Sequence, residues 1–280
     1  MAEPFQTTIV VPCYNEAERL AVTQFRDFAV LHPEVRFLFV NDGSRDDTLS
    51  VLRGLHSADS THFLYLDLPR NGGKAEAVRS GMLEALVPGV RYVGYWDADL
   101  ATPLAEIPRF IAALETEHGR DICFGSRVRL LGRLIERQPL RHYLGRLFAT
   151  VASHVLDLPV YDTQCGAKLF RVSDETRALF AEPFNVNWTF DVELIARLQA
   201  RRAADPSVRD ASARIYELPL REWRDVAGSK VKPTDFLKGI AEMFRVYHKY
   251  GRGGRKPQPL RALRTPESTA THPPQPSARN

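Results

Sequence analysis

The chain has 280 residues, of which 44% are hydrophobic and 26% charged, a profile that excludes disorder as its dominant state and suits one large core or two small ones. The formal charge of +4 invites a nucleic-acid or anionic-membrane partner, yet residues 251–280 alone carry +5 and leave the first 250 at −1, so nucleic acid ranks last among partner classes. Three dispersed cysteines, Cys13, Cys123 and Cys165, exclude a disulfide framework, lack zinc-ligand spacing and fit a reducing, cytoplasmic compartment.

The first half alternates strand-like and helix-like segments. Thr7 to Val11 is short and β-branched, Glu16 to Leu31 has helical length, and Arg36 to Val40 is a buried strand. Asp46 to Leu55 predicts a short helix and His62 to Leu66 a third strand. Lys74 to Leu86 predicts a helix closed by Pro88-Gly89, Tyr92 to Trp96 a fourth strand, and Pro103 to Glu117 a helix with proline in its first turn. Asp121 to Phe124 completes a fifth strand. Such β-α units imply an α/β fold: a Rossmann-like, mostly parallel sheet with helices on both faces, whose ligands sit at the carboxyl ends of the strands.

The second half loses this rhythm. Ser126 to Arg146 holds six arginines against Glu136 alone and runs into an amphipathic helix bearing Tyr143, Leu144, Leu147, Phe148, Val151 and Val155. Asp174 to Phe180 and Asp191 to Arg202 predict helices, and Ala213 to Leu218 a strand. A last amphipathic helix, Lys232 to Lys249, has an apolar face with basic flanks, suited either to a bilayer surface or to packing on the domain. Beyond Gly251, six prolines and few large apolar side chains predict a disordered basic tail. The expected organisation is therefore one domain over 1–250, with a donor half of about 1–125 and an acceptor half of about 126–250, followed by the tail at 251–280. No run approaches the roughly 20 apolar residues of a membrane span, and the chain's start lacks the pattern of a signal peptide.

Chemistry is expected at four strand ends. Asp97 and Asp99 suit a hard divalent cation, since Mg²⁺ takes one or two carboxylates plus substrate phosphates; a solvated acidic turn is the alternative. Asp42-Gly43-Ser44 and Pro12-Cys13-Tyr14-Asn15-Glu16 offer groups for a base or ribose, or ordinary turn chemistry. Asn71-Gly72-Gly73-Lys74 opens a helix, where N–H groups and Lys74 would attract a phosphate. The spacing of a P-loop is absent.

Taken together, these loops resemble the family-2 glycosyltransferases, with Val11 to Glu16, Asn41 to Ser44, Asn71 to Lys74 and Asp97-Ala98-Asp99 in family order. Gly125-Ser126-Arg127, Asp162-Thr163-Gln164-Cys165-Gly166-Ala167-Lys168-Leu169-Phe170, Trp188 to Glu193 and Gly228-Ser229-Lys230 narrow the resemblance to the branch that makes polyprenyl-phosphate sugars, especially dolichyl-phosphate glucose synthases. Ala101 stands where mannose synthases usually carry Gln. The resemblance implies a GT-A fold and inverting, metal-dependent transfer of a hexose, glucose from UDP-glucose, to a polyprenyl or dolichyl phosphate. It places Pro12, Tyr14, Glu16, Asp42, Lys74 and Asp97 on the donor, Asp99 and Asp97 on Mg²⁺ or Mn²⁺, and Arg127, Arg137 and Arg141 at the acceptor phosphate. Arg127 and Asp191 are the catalytic candidates, Asp191 as a base or orienting residue or, alternatively, a helix cap. The arginines read equally as a solvated basic face. A soluble or glycan acceptor stays open, as does a non-catalytic nucleotide-sugar-binding protein. With no membrane span, work on a lipid implies peripheral docking on the cytoplasmic face of a membrane, through the last helix and tail or a membrane partner.

Overall fold

A computed structural model describes residues 5–117, 119–136, 139–226 and 233–251, the side chains of 139–144 and 233–237 excepted. The elements are β1 (Thr7–Cys13), α1 (Val22–Leu31), β2 (Val35–Asp42), α2 (Thr48–Ala58), β3 (Phe63–Leu68), α3 (Lys74–Ala85), β4 (Tyr92–Trp96), α4 (Ile107–Thr116), β5 (Ile122–Ser126), β6 (Leu134–Glu136), α5 (Pro139–Leu156), β7 (Ala167–Arg171), α6 (Asp174–Ala181), α7 (Phe190–Ala204), α8 (Ala211–Arg214), β8 (Ile215–Pro219), β9 (Glu222–Arg224) and α9 (Pro233–Tyr250). Seven strands form the main sheet in the order β3-β2-β1-β4-β7-β5-β8, and β6 pairs with β9 apart from it. Only β7 runs antiparallel to its neighbours, between β4 and β5.

Alternation along the strands divides two cores. Val10, Leu38, Val40, Val93, Tyr95, Phe124 and Phe170 face a layer of α3, α5, α6, α7 and α9. Ile9, Val11, Phe37, Phe39, Trp96 and Cys123 face α1, α2 and α4. Each side is a continuous apolar layer, so the sheet is buried on both faces, as parallel sheets require.

Several sequence expectations need correction. The helix expected from Glu16 begins only at Val22, because Glu16 to Leu20 closes a turn in which Arg19 N–H and Leu20 N–H donate to Glu16 O. The strand β7 was not predicted; its fully buried Lys168 breaks the apolar run that marks a central strand. Neither β6 nor β9 was predicted, each being three residues long. The arginine-rich segment expected to lead into a helix is itself helical from Pro139, so Arg141 and Arg146 lie on α5. Arg137, Gly228-Ser229-Lys230 and the tail beyond Gly251 fall outside the described residues. All three cysteines are buried and outside any disulfide, and among the described residues no helix is long and apolar enough to cross a membrane.

Candidate active site

The first two loops at the carboxyl edge are stitched together. Asn15 N–H donates to Ser44 Oγ (3.0 Å), Arg45 N–H to Asn15 Oδ1 (2.9 Å), and Glu16 N–H to Thr48 Oγ1 (2.8 Å). Asn15 adopts φ 50° to make this turn, a left-handed conformation that a non-glycine residue holds only where its surroundings enforce it. Pro12 lies near the end of β1 opposite Val40, and Tyr14 and Glu16 follow it into the edge.

Asp42 is placed differently from its expected role as a nucleoside ligand. Its Oδ1 accepts from Gly72 N–H (2.7 Å) and its Oδ2 from Gly73 N–H (2.9 Å) and Asn71 Nδ2 (3.0 Å). Burial pushes its carboxyl pKa up despite these two backbone donors, with Glu76 adding repulsion. Asp42 thus braces the Asn71-Gly72-Gly73 turn. The same contacts correct the phosphate expectation there: Gly72 and Gly73 spend their N–H groups on Asp42, and Ala75 N–H donates to Asn187 Oδ1 (3.2 Å). Gly73 holds φ 85°, and a Cβ there would lie 2.1 Å from the Asn187 side chain.

The acidic pair sits in a turn, where Leu100 N–H donates to Asp97 O (3.2 Å). Leu100 takes φ 52° to close it. The two carboxylates still converge. Burial and then the charge of Asp97 raise the Asp99 pKa, against donation from Ala101 N–H and the positive charges of Lys74 and Arg19. Lys74 Nζ lies 2.5 Å from Asp97 Oδ1. Burial disfavours the Lys74 ammonium, but Asp97, Asp191 and Asp99 outweigh it and raise the lysine pKa.

Among the described residues no group of three or more His, Cys, Asp or Glu side chains could hold a metal. The donor set nevertheless fits a hard cation. Two oxygen ligands suffice where substrate phosphates complete the shell, Asp99 is destabilised as an anion by its neighbour, and the pair already draws one cation, Lys74, against it.

The Asp162-to-Lys168 motif encloses this pair. Glu217 accepts from Tyr161 N–H (2.9 Å) and Asp162 N–H (2.9 Å). Lys168 Nζ donates to Thr163 O (3.0 Å) and Cys165 O (2.7 Å), and lies 2.7 Å from Asp191 Oδ1. An ammonium has three N–H donors, and each has a partner here. Tyr95 OH donates to the same Asp191 oxygen, while burial, then Asp191, push the phenol pKa well up. Asp97 N–H donates to Gly166 O (3.0 Å), and a Cβ on Gly166 would lie 1.8 Å from Asp97 Oδ2. Gly166→Ala is therefore expected to push Asp97 off Lys74, lowering turnover by about a hundredfold with a small change in thermal midpoint; steady-state kinetics beside a melting curve checks this. Among the described residues, Thr163 Oγ1 and Gln164 Nε2 of this motif are buried polar atoms without a hydrogen-bond partner.

Asp191, 4% exposed, is not the cap of α7. That position is Thr189, and the segment before it is held by Glu242, which accepts from Trp188 N–H (3.0 Å) and Thr189 N–H (2.9 Å). Asp191 is instead locked between Lys168 and Tyr95. Arg127 does not point to open space either: its Nε and Nη2 fork onto Asp162 at 2.7 Å each, its backbone N–H donates to Asp162 Oδ2 (3.0 Å), and its guanidinium lies 5.3 Å from the Trp223 ring. Arg137 lies outside the described residues, as does the side chain of Arg141.

The structure thus unites Lys74, Asp97, Asp99 and Asp191, with Arg127 near enough to feel the Asp97 charge. Sequence reasoning missed Lys168, Tyr95, Arg19 and Asn187 as members of this cluster. Tyr95 carried a usable signal, a hydroxyl within the fully buried strand β4; Lys168 and Asn187 carried none.

The sequence model for glycosyl transferase family 2 matches residues 8–177. A dolichyl-phosphate beta-glucosyltransferase of Trichomonas vaginalis is 31% identical, over 86% of this chain and 70% of its own. The Drosophila melanogaster protein of that name is 30% identical, over 88% and 75%. Glucosyl-3-phosphoglycerate synthase from Mycobacterium tuberculosis shares the fold, with TM-score 0.61 at 16% identity over 89% of this chain and 81% of the other. A sheet wound as expected, four loops meeting at its carboxyl edge and a match spanning more than half the chain lead to one assignment: the protein is a glycosyltransferase of family 2.

Proposed function

We propose that the chain transfers glucose from UDP-glucose to dolichyl or a related polyprenyl phosphate, inverting the anomeric carbon. The observation that carries this reading is the Lys74–Asp97–Asp99 cluster, whose Asp97 sits directly against Gly166 of the Asp162-to-Lys168 motif, beside the activity named for relatives aligned over most of the chain. The donor's pyrophosphate lies at Asp97, Asp99 and Lys74, its nucleoside against the Pro12, Tyr14 and Glu16 loop, with Asp42 keeping the adjoining turn in place. Mg²⁺ or Mn²⁺ held by Asp97 and Asp99 supplies positive charge to the diphosphate leaving group.

An acceptor phosphate of about −1.5 to −2 charges is already a nucleophile. Its oxygen forms the new bond to the anomeric carbon while the bond from that carbon to the UDP oxygen breaks. No proton need be removed, so Asp191 serves as an orienting charge that keeps Lys168 and Tyr95 in register with the motif rather than as a base. Arg127 fixes Asp162 and so the motif's shape. Arg137 and Arg141 meet the acceptor phosphate; the apolar face of α9 packs on the domain instead of a bilayer, with Met243 and Val246 buried in its core.

The test is a panel of radiolabelled nucleotide-sugars offered with Mg²⁺ or Mn²⁺ and polyprenyl phosphate, with product extracted into organic solvent. Label from UDP-glucose is expected in the organic phase. Label on a soluble acceptor alone overturns the lipid assignment. Metal-dependent UDP binding without transfer to any acceptor overturns catalysis.

A further inference from the structure

The segment that leaves β5 carries more than its arginines. Leu131 is 104% exposed, Leu130 47% and Leu134 44%, whereas Ile135 is buried in the core on the α1, α2 and α4 side of the sheet. The fold thus takes Ile135 inside, half-buries Val128 and leaves the three leucines in water. Arg129 and Arg133 flank the tip, and no acidic residue occurs from Arg127 until Glu136.

The stalk beneath the tip is clamped on both sides. Arg127 is forked onto Asp162 at its start. At its end, Leu134 N–H donates to Arg221 O (2.9 Å) and β6 lies in parallel register with β9, Ile135 opposite Trp223. Between them Arg133 N–H donates to Leu130 O (3.1 Å), folding the tip into a turn. The leucines are therefore held away from the core by ordered structure.

We infer that Leu130, Leu131 and Leu134, with Arg129 and Arg133, form a wedge that inserts into an anionic lipid bilayer and seats the site over the leaflet holding its acceptor. This rests on the lipid-phosphate reading above. Aliphatic tips flanked by cationic side chains match the boundary between acyl chains and phosphate headgroups. Three leucines offer far less area than the roughly 1,000 Å² that a specific protein interface needs, whereas a bilayer demands no matched partner surface. The wedge also starts at Arg127, so insertion fixes the height of the Asp162-to-Lys168 motif above the membrane.

The test uses the purified full chain with phosphatidylcholine vesicles, with and without phosphatidylglycerol, in the absence of any substrate. Wild type is expected to co-sediment, more tightly with phosphatidylglycerol. Leu130→Gln/Leu131→Gln is expected to weaken vesicle binding by about 10- to 100-fold at an unchanged melting temperature. Arg129→Gln/Arg133→Gln is expected to weaken binding to phosphatidylglycerol vesicles by about fivefold per arginine while leaving binding to pure phosphatidylcholine unchanged. In transfer assays the leucine variant should lose activity toward polyprenyl phosphate in vesicles while keeping wild-type turnover on a short, water-soluble prenyl phosphate. Vesicle binding that is absent in wild type, or unchanged in the leucine variant, overturns the wedge; so does self-association that the leucine substitutions abolish without vesicle binding. If vesicle binding depends on the leucines but neither prenyl acceptor is glycosylated, the wedge stands and the functional reading falls.

Discussion

Asp99→Asn is expected to reduce sugar transfer by about a thousandfold while leaving the protein as stable as wild type or slightly more so. Metal-assisted stabilisation of a charged leaving group supplies several kcal/mol, and about 4 kcal/mol corresponds to that factor. Stability should hold for a reason visible in the site: burial and the Asp97 charge already disfavour the Asp99 carboxylate, so a neutral amide removes repulsion, and it can keep the bond from Ala101 N–H (3.1 Å in the native site). Transfer kinetics should be paired with a melting curve and with Mn²⁺ binding followed by electron paramagnetic resonance. A variant that binds Mn²⁺ as well as wild type, or keeps activity in metal-free buffer, removes the metal role from Asp99.

The second large effect is on folding. Lys168→Met should destabilise the protein by about 3–5 kcal/mol, because it strands the buried Asp191 charge without its cation and leaves the carbonyls of Thr163 and Cys165 without their donor. Denaturant unfolding measures this directly. Adding Asp191→Asn to Lys168→Met should recover part of the loss, since no net charge then remains buried at the pair. A single-variant loss under about 1 kcal/mol, or a double variant no more stable than the single, is incompatible with Lys168 as the brace of the motif.

Much of the site was legible because its residues are local. Val11 to Glu16, Asn41 to Ser44, Asn71 to Lys74 and Asp97 to Asp99 each follow a strand that announces itself by apolar, β-branched or aromatic content, and parallel winding sends all four strand ends to one edge. What escaped was whatever the chain brings from afar. Asp162 lies 35 residues from Arg127, Asn187 lies 112 from Ala75, and Asp191 lies 96 from Tyr95. The local pattern around Arg127 describes a cation in a basic run; only the tertiary structure supplies the carboxylate that fills its fork. The N–H groups of Gly72 and Gly73 likewise look open to phosphate until Asp42 is seen beneath them. Lys168 hid β7 for the opposite reason, since a charge in the sheet's centre is tolerable only when all its donors are met, a condition local sequence does not display.

The antiparallel insertion of β7 also governs the order in which this protein is completed. The strands β3, β2, β1 and β4 pair among themselves within the first 96 residues, by β-α-β units of short range, and such contacts form early. On the ribosome, β4 then waits with one edge unpaired until Ala167–Arg171 emerges, and β5, made earlier, has no route into the sheet without it. A nascent chain paused before residue 171 therefore displays an apolar strand edge of the kind that recruits other chains. The segment that closes this edge is continuous with the one that seats Gly166 against Asp97, so protection from aggregation and the placing of the acidic pair depend on the same stretch of chain.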